Sequence, residues 1–273
     1  MNGYLKYFLM VIFALLTGCT EFVATVNKDN TWEVYELDRI VLHVRPSGHS
    51  QTVSPDDVAI DRILENQNFY YQLINDSLGL NYRGQVYIYL YNLDEAYFSI
   101  GTQTGGHAVP DRSAIYYTYL RPEFRDRYGR RAHIGAHEMV HVISHRLLGK
   151  PFTKLMSEGY AVAIDGAYGR QSTPAGTIVA RPIMEWMMNH RQAGNVLSPE
   201  ELLTQTNRPE AVYYPNAGFF VIYLWNRFGV EMINQLFNVD TQDFRGAFYQ
   251  VSGVTWTQLN EDYEAYWKTV LGE

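Results

Sequence analysis

The sequence predicts an α+β fold in which an N-terminal mixed sheet with its helices is followed by an all-helical C-terminal lobe. In the front half, apolar residues recur with period two, as in Val86–Tyr91, where aliphatic residues alternate with tyrosines. Beyond Arg130 the apolar residues recur at helical spacing, and Gly, Pro and Asn separate the helical stretches. No internal repeat divides the chain. We therefore expect residues 31–150 and 151–273 to be the two halves of one folded unit.

The front half has a clear order of elements. A segment rich in β-branched residues between Trp32 and Pro46 predicts a strand or hairpin. Ser54-Pro55-Asp56-Asp57 is typical of a helix start, and the helical spacing of apolar residues then continues to Gly79. Val86–Tyr91 follows as a strand, and a third strand is predicted from Ser113 to Tyr119.

The front half ends with a helix from Arg130 to Leu148, which leads into the helical back half. Gly149 at the end of this helix and Pro151 just beyond are the usual signals that a helix stops. Further helices are predicted at Leu155–Ala167, Ile178–Arg191, Pro199–Thr204, Ala217–Phe228, Val230–Phe237 and Trp256–Val270.

The composition is that of a globular protein and argues against nucleic-acid binding. Of 273 residues, 47% are apolar and 19% are charged, and the formal net charge is −7. A surface that binds phosphates needs clustered lysines and arginines, and the sequence has no long run of them. The single cysteine, Cys19, excludes an intramolecular disulfide and a cysteine-rich zinc cluster.

The position of Cys19 is explained by the residues before it. Lys6 precedes an apolar run of ten residues, 7–16, which is too short for a helix to span a hydrocarbon core of ~30 Å. Such a run is typical of a secretory signal. Leu16-Thr17-Gly18-Cys19 resembles the bacterial lipobox. An ordinary secretory signal that ends at a chance cysteine is the alternative.

The lipobox resemblance implies a lipid-anchored protein of the bacterial cell envelope. Residues 1–18 would be removed as a signal peptide, and Cys19 would carry a diacylglyceryl group and an acylated amino terminus, which together anchor a protein firmly. Residues 19–30 are polar and lack periodicity, as expected of a tether. Position 20 is threonine and not aspartate. By resemblance to the sorting rules of lipoproteins in bacteria with two membranes, this favours the outer membrane if the source has one.

The helix from Arg130 to Leu148 contains the metal-binding motif H-E-x-x-H. His137 and His141 are four residues apart, so both imidazoles lie on one helix face and can reach one ion. Glu138 is rotated by about 100° from His137. It is therefore free to act as a general base on a water molecule in the open coordination position.

Other histidines share this spacing. His133 and His145 each lie four residues outside the central pair, so His133 with His137, or His141 with His145, could also bind a metal. Neither alternative pair has a glutamate directly after its first histidine. We interpret the two outer histidines as polar-face residues or as supporting neighbours of the ligands.

Zinc needs a third protein ligand if the fourth position is to stay open for water. The segment Ser157-Glu158-Gly159-Tyr160-Ala161 offers Glu158, seventeen positions after His141. The break at Gly149 and Pro151 allows the following helix to fold back against the first. The alternative is that Glu158 is a capping acid at the start of a helix.

The H-E-x-x-H motif followed by Ser-Glu-Gly-x-Ala resembles the gluzincin metallopeptidases, which have a zincin-like fold. The resemblance implies that His137, His141 and Glu158 bind Zn²⁺ and that Glu138 is the catalytic base. Relatives often have an acid four residues after the ligand glutamate, to orient a zinc-bound histidine. Here that position is Val162, and the nearest acid is Asp165.

Two further segments continue the resemblance. Tyr214-Pro215-Asn216-Ala217-Gly218-Phe219 is similar to a later helix of the family, which implies that Tyr214 donates a hydrogen bond to the oxyanion. Tyr213 competes for this role. Gly105-Gly106-His107-Ala108 is similar to the loop and edge strand above the metal, where an extended peptide could bind by adding a strand.

The expected function is therefore that of a zinc-dependent metallopeptidase, anchored through Cys19 and acting on a peptide or protein substrate. Two alternatives remain open. The protein could be a non-catalytic envelope lipoprotein that keeps the metal for structure, as a binding or assembly module. It could also be a metallohydrolase with a substrate other than protein, because an activated water is not selective for amides. The sequence predicts no oligomeric state.

Overall fold

A computed structural model of the protein describes residues 32–44, 60–92, 106–119, 135–172, 178–240 and 242–272. Several predictions lie outside these ranges, namely the signal peptide at 1–18, Cys19, the tether at 19–30, the helix start at 54–57 and His133. Within the described ranges, no helix combines the length and the apolar character that crossing a membrane requires.

The front half forms a five-stranded mixed sheet with the order β1-β2-β3-β5-β4. Strands β1 (Glu33–Leu37) and β2 (Ile40–Val44) make an antiparallel hairpin. Strands β3 (Val86–Asn92) and β5 (Ala114–Tyr119) continue the sheet in parallel. Strand β4 (Gly106–Val109) runs antiparallel to β5 at the edge of the sheet. The α+β class, the hairpin and the predicted strands are confirmed.

The aliphatic face of this sheet is the core of the front half. Ile40, Leu42, Val86, Ile88 and Ile115 are fully buried, because alternate residues of a strand point to the same side. Helix α1 (Ile60–Leu78) contacts β1 and β2 and reaches the next helix of the chain. The sheet and α1 thus form the support on which the metal-motif helix lies.

The two helices that carry the metal motif and Glu158 are joined by a short turn. Helix α2 (His137–Leu148) ends at Gly149, whose backbone N–H donates to the His145 carbonyl at a φ of 88°. Helix α3 (Lys154–Asp165) is capped by Thr153, whose side chain accepts from the Met156 N–H. The predicted stop at Gly149 is therefore observed, and α3 folds back along α2.

After α3, the helices and strands that the structure describes are all helices except for one hairpin. These elements are β6 (Ala167–Ser172), β7 (Ile178–Pro182), α4 (Ile183–Gln192), α5 (Pro199–Thr204), α6 (Glu210–Phe228), α7 (Val230–Leu236), α8 (Phe244–Ser252) and α9 (Trp256–Leu271). The prediction that a helix begins at Ile178 is wrong, because that segment pairs with β6 as an antiparallel strand. Helix α8 was not predicted.

Helix α6 begins seven residues earlier than predicted because it continues through Pro215. Proline has no N–H, so the carbonyl of Ala211, four residues earlier, loses its helical partner. The Nε2 atom of His190 on α4 lies 2.9 Å from that carbonyl oxygen and takes the place of the missing donor. A side chain from another helix thus compensates for the interruption, and α6 starts at Glu210.

Helices α3 and α6 cross at very close range. A Cβ atom on Gly218 of α6 would lie 2.5 Å from Val162 Cγ1, and one on Gly159 of α3 would lie 3.0 Å from the Ala217 carbonyl oxygen. Val162 and Ala217 are fully buried. A glycine on each helix is therefore needed for the two backbones to approach this closely.

We expect Gly218→Ala to destabilise the protein, because the added methyl group must displace the buried Val162. Overpacking of this kind costs about 1–3 kcal/mol. The measurement is thermal or urea unfolding of the full-length protein in detergent. Gly246→Ala is the matched control, since Gly246 lies in α8 and a Cβ atom there would meet no other atom within 4 Å, so alanine should raise stability slightly. Equal stability of the two variants would contradict the close crossing.

Candidate metal centre

Helices α2 and α3 bring three metal-binding side chains together. The Nε2 atoms of His137 and His141 are 3.3 Å apart. The Oε2 atom of Glu158 lies 3.3 Å from His137 Nε2 and 3.6 Å from His141 Nε2. These three residues can hold a metal ion, and the described ranges contain no second group of three His, Cys, Asp or Glu side chains that could.

The spacing of these atoms fits a small tetrahedral ion. Zinc binds histidine nitrogen at ~2.0–2.1 Å and carboxylate oxygen at ~2.0–2.2 Å, so neighbouring ligand atoms of a tetrahedral site lie about 3.4 Å apart. The observed separations of 3.3, 3.3 and 3.6 Å bracket that value. Two nitrogens and one oxygen also leave a fourth coordination position for water. The cluster therefore has the dimensions of an open metal site.

The charges around the cluster keep Glu158 ionised. Burial raises the pKa of Glu158, but hydrogen bonds from His137 and His141 and their charges lower it far below its ordinary value. Burial lowers the pKa of His137, yet the hydrogen bond with Glu158 and the charges of Glu138, Glu158 and Asp165 outweigh burial and raise it. Because a metal needs unprotonated ligands, protons compete with the ion for His137 at low pH.

Helix α3 begins four residues before Glu158, so the alternative interpretation of Glu158 as a capping acid is wrong. The N-cap is Thr153, and Glu158 lies beyond the first turn. The Ser157 hydroxyl donates to Glu158 Oε1 at 3.3 Å, while Oε2 faces the two histidines. One carboxylate oxygen is therefore held within α3, and the other is directed at the metal position.

Glu138 lies on α2 outside the ligand cluster. Its carboxylate makes no hydrogen bond or ion pair with the residues that the structure describes. Its side chain lies beneath the edge strand β4, where a Cβ atom on Gly106 would be 2.6 Å from Glu138 Cγ and 2.5 Å from Tyr117 Cε1. Glycine at position 106 therefore allows the edge strand to pass over Glu138, a role for Gly106 that the sequence did not indicate.

The two neighbouring tyrosines of α6 have different surroundings. The Tyr213 hydroxyl is buried and donates to the Leu202 carbonyl at 2.6 Å, and burial raises the pKa of Tyr213. The Tyr214 ring stacks on the His137 ring, with 6.2 Å between centroids and 12° between planes. Of the two residues left open by the sequence, Tyr214 is thus the one beside the metal cluster.

His145 lies next to the cluster without being part of it. Its ring packs edge-on against His141 and Phe237, at 5.8 Å and 5.9 Å between centroids. Burial and the nearby His141 lower the pKa of His145 to about 4, so its ring is neutral at physiological pH. The Nε2 atom of His141 faces His137 and Glu158 instead, which leaves His145 as a packing neighbour.

Asp165 and Gln67 hold the chain just before the metal-motif helix. The Asp165 carboxylate, at the end of α3, accepts a hydrogen bond of 2.8 Å from the Ala136 N–H. The side-chain amide of Gln67 on α1 donates to the Gly135 carbonyl at 3.4 Å. An acid that the sequence places seven residues after Glu158 thus anchors the residue next to His137, rather than the imidazole itself. The sequence carried no signal for Gln67.

Comparison with known proteins adds no family to this description. No protein-family model matches the chain, and no curated protein matches it. The cluster of His137, His141 and Glu158 agrees with the ligand set that the gluzincin resemblance implied. The roles of Glu138 and Tyr214 remain predictions. The function therefore has to follow from the residues and their geometry.

We expect Asp165→Ala to lower both stability and metal affinity, because the Ala136 N–H loses its acceptor and the first turn of α2 loses an anchor. The loss of one such hydrogen bond costs about 1–2 kcal/mol, and we expect metal affinity to fall by roughly tenfold. Zinc affinity is measured by competition with a coloured chelator. Asp165→Asn is the control, since its side-chain oxygen can still accept. If Asp165→Asn loses as much stability and zinc affinity as Asp165→Ala, the charge of Asp165 matters rather than its hydrogen bond.

Proposed function

We propose that this protein is a zinc-dependent metallopeptidase of the gluzincin type, anchored to the cell envelope through a lipidated Cys19. One observation carries the proposal. Three ligand atoms from H-E-x-x-H and Glu158 lie at tetrahedral spacing, while the glutamate of the motif makes no bond with the described residues. A purely structural site has no need for a second carboxylate that makes no hydrogen bond or ion pair with the described residues.

Zinc is the ion that this donor set favours. His, His and Glu are three ligands that zinc prefers in catalytic sites, and such sites leave one position open. When bound, zinc lowers the pKa of a coordinated water and polarises a carbonyl oxygen. His137, His141 and Glu158 would hold the ion, and Asp165 would keep α2 in register with α3 through the Ala136 N–H.

Glu138 and Tyr214 would perform the chemistry that belongs to the chain. Glu138 removes a proton from the attacking water and later delivers it to the leaving amine, the usual role of a general base that becomes a general acid. Its carboxylate lies near His137 and makes no hydrogen bond or ion pair with the described residues, which supports this role. The Tyr214 hydroxyl donates a hydrogen bond to the oxygen on which negative charge develops, a contribution worth a few kcal/mol in comparable sites.

The edge strand β4 supports a peptide or protein as the substrate. It lies at the end of the sheet directly over Glu138, and its only neighbour among the described strands is β5. An extended peptide can pair with the free edge of such a strand through main-chain hydrogen bonds. That pairing would place a peptide bond next to the metal, with no requirement for a particular side chain.

The envelope location rests on the N-terminal sequence. The apolar run at 7–16 and the lipobox-like residues that end at Cys19 support a lipid anchor, and the polar residues 19–30 support a tether. The catalytic unit would then work at the membrane surface, at the outer membrane if the source has two. Mass spectrometry of the native N-terminal peptide tests the acylation of Cys19.

We expect the purified full-length protein to bind one zinc ion, and we expect His137→Ala, His141→Ala and Glu158→Ala each to remove it. Loss of a ligand should lower zinc affinity by more than the roughly 10–100-fold that changes to supporting residues cause. Metal content and chelator competition are the measurements. His145→Gln is the matched control on the same helix and should keep its zinc. Loss of zinc from His141→Ala and His145→Gln, with zinc retained by His137→Ala, would favour the His141 and His145 pair instead.

We expect Glu138→Gln to abolish hydrolysis while zinc remains bound. Glutamine preserves the shape of the side chain but cannot take the proton from water, and general-base catalysis contributes about 10²–10⁴-fold. Cleavage of a mixed peptide library and of cell-wall material is followed by mass spectrometry. Full activity of the variant would overturn the proposal. A zinc-loaded wild-type protein that cleaves only the cell-wall material would favour a hydrolase with another substrate, and one that cleaves neither would favour a non-catalytic module.

A further inference from the structure

Lys154 is a cation beside the metal cluster to which no role has been given. It is the first residue of α3 and precedes Glu158 by four positions, so the two side chains share one face of the helix. Its Nζ atom lies 4.8 Å from the centre of the Tyr213 ring and 5.2 Å from that of the Tyr214 ring. Lys154 therefore lies next to Tyr214, whose ring stacks on His137 of the candidate metal centre.

The ammonium group of Lys154 is only partly satisfied by the protein. It donates one hydrogen bond of 3.1 Å to the carbonyl of Thr206. An ammonium group has three donors, and no carboxylate of the described residues lies within ion-pair distance of this one. The charge of this half-exposed cation is thus not neutralised by a described carboxylate, and the group can donate to a ligand that carries negative charge.

Helix stability does not account for a lysine at this position. A cation in the first turn of a helix opposes the helix dipole, and α3 has no acidic residue in its first turn to balance it. Residues that break a local rule in this way are often found at functional sites. The contacts with two tyrosine rings hold the ammonium group in place without neutralising its charge.

The geometry points to Lys154 as a specificity residue that binds a carboxylate of the substrate, either an acidic side chain or the C-terminal carboxylate. This inference rests on the proposed peptidase function. The Nζ atom lies 5.2 Å from the Tyr214 ring, which lies 6.2 Å from the ring of the ligand His137. An extended peptide advances ~3.3–3.6 Å per residue, so the carboxylate belongs within about three residues of the bond that is cleaved.

The test compares matched peptides on the zinc-loaded, full-length protein. One set has glutamate and the other glutamine at each position near the cleaved bond, and every peptide is made both as the free acid and as the C-terminal amide. We expect kcat/KM to be about tenfold higher for the peptide with the correctly placed carboxylate, as for a charge-assisted hydrogen bond. The glutamate series and the amide series distinguish the two sources of the carboxylate.

Variants of Lys154 then test whether this lysine is the cause. Lys154→Gln should remove the preference, lowering kcat/KM for the carboxylate-bearing peptides far more than for the neutral ones, whereas Lys154→Arg should keep it. Lys154→Glu should reverse it in favour of peptides with lysine at that position. Lys150→Gln, on the exposed turn before α3, is the matched control and should behave as the wild type. An equal loss for neutral and acidic peptides would overturn the proposal, as would a wild type without preference.

A binding measurement separates this proposal from the proposed function. Fluorescein-labelled mixed octapeptides, free acid or amide and with glutamate or glutamine, are titrated into zinc-loaded Glu138→Gln and into the same variant with Lys154→Gln. We expect tighter binding of the carboxylate-bearing peptides only when Lys154 is present. Lysine-dependent binding without cleavage by the wild type would overturn the peptidase and keep the carboxylate site. Cleavage by the wild type without lysine-dependent binding would overturn the carboxylate site and keep the peptidase. If neither cleavage nor lysine-dependent binding is seen, both proposals are overturned.

Discussion

The candidate metal centre depends on the close packing of α3 against α2 and α6. Two imidazole nitrogens and a carboxylate oxygen lie within 3.6 Å of one another. When these atoms carry no proton, their proximity contributes little stabilising free energy unless a metal ion binds to them. The fold has to hold them together. Gly159, the neighbour of Glu158, lies at the crossing with α6, where even one extra methyl group would meet backbone. The position of the third ligand is thus determined by the packing of two helices rather than by the ligands themselves.

The ligand set could be predicted from sequence because each part of it has a local signature. His137 and His141 are related by the geometry of a single helix, and Gly149 marks the turn that returns the chain. Only the long-range step, the contact of Glu158 with both histidines, required the structure. Asp165 shows the limit of the same reasoning, since its partner is a backbone N–H that no side-chain pattern reveals.

The choice between Tyr213 and Tyr214 could not be made from sequence. Consecutive residues of a helix point about 100° apart, so the choice depends on how the helix is rotated about its axis. Pro215 suggests a helix that starts after the two tyrosines, whereas α6 includes them because His190 replaces the missing donor. The hairpin of β6 and β7 was missed for another reason. Ala167–Ser172 has no alternation of apolar residues, and its pairing is visible only in space.

The two carboxylates of the site differ because the two halves of the chain surround them differently. Glu158, from the helical half, is held between two imidazoles, in a cluster that can hold a metal ion. Glu138, from the front half, lies under the edge strand and keeps its oxygens free of the described residues. In the proposed function, the front half therefore supplies two ligands and the base, and the helical half supplies the third ligand, Tyr214 and Lys154. The proposed site needs residues from both halves, because a division of the chain near residue 150 would separate Glu138 from Glu158.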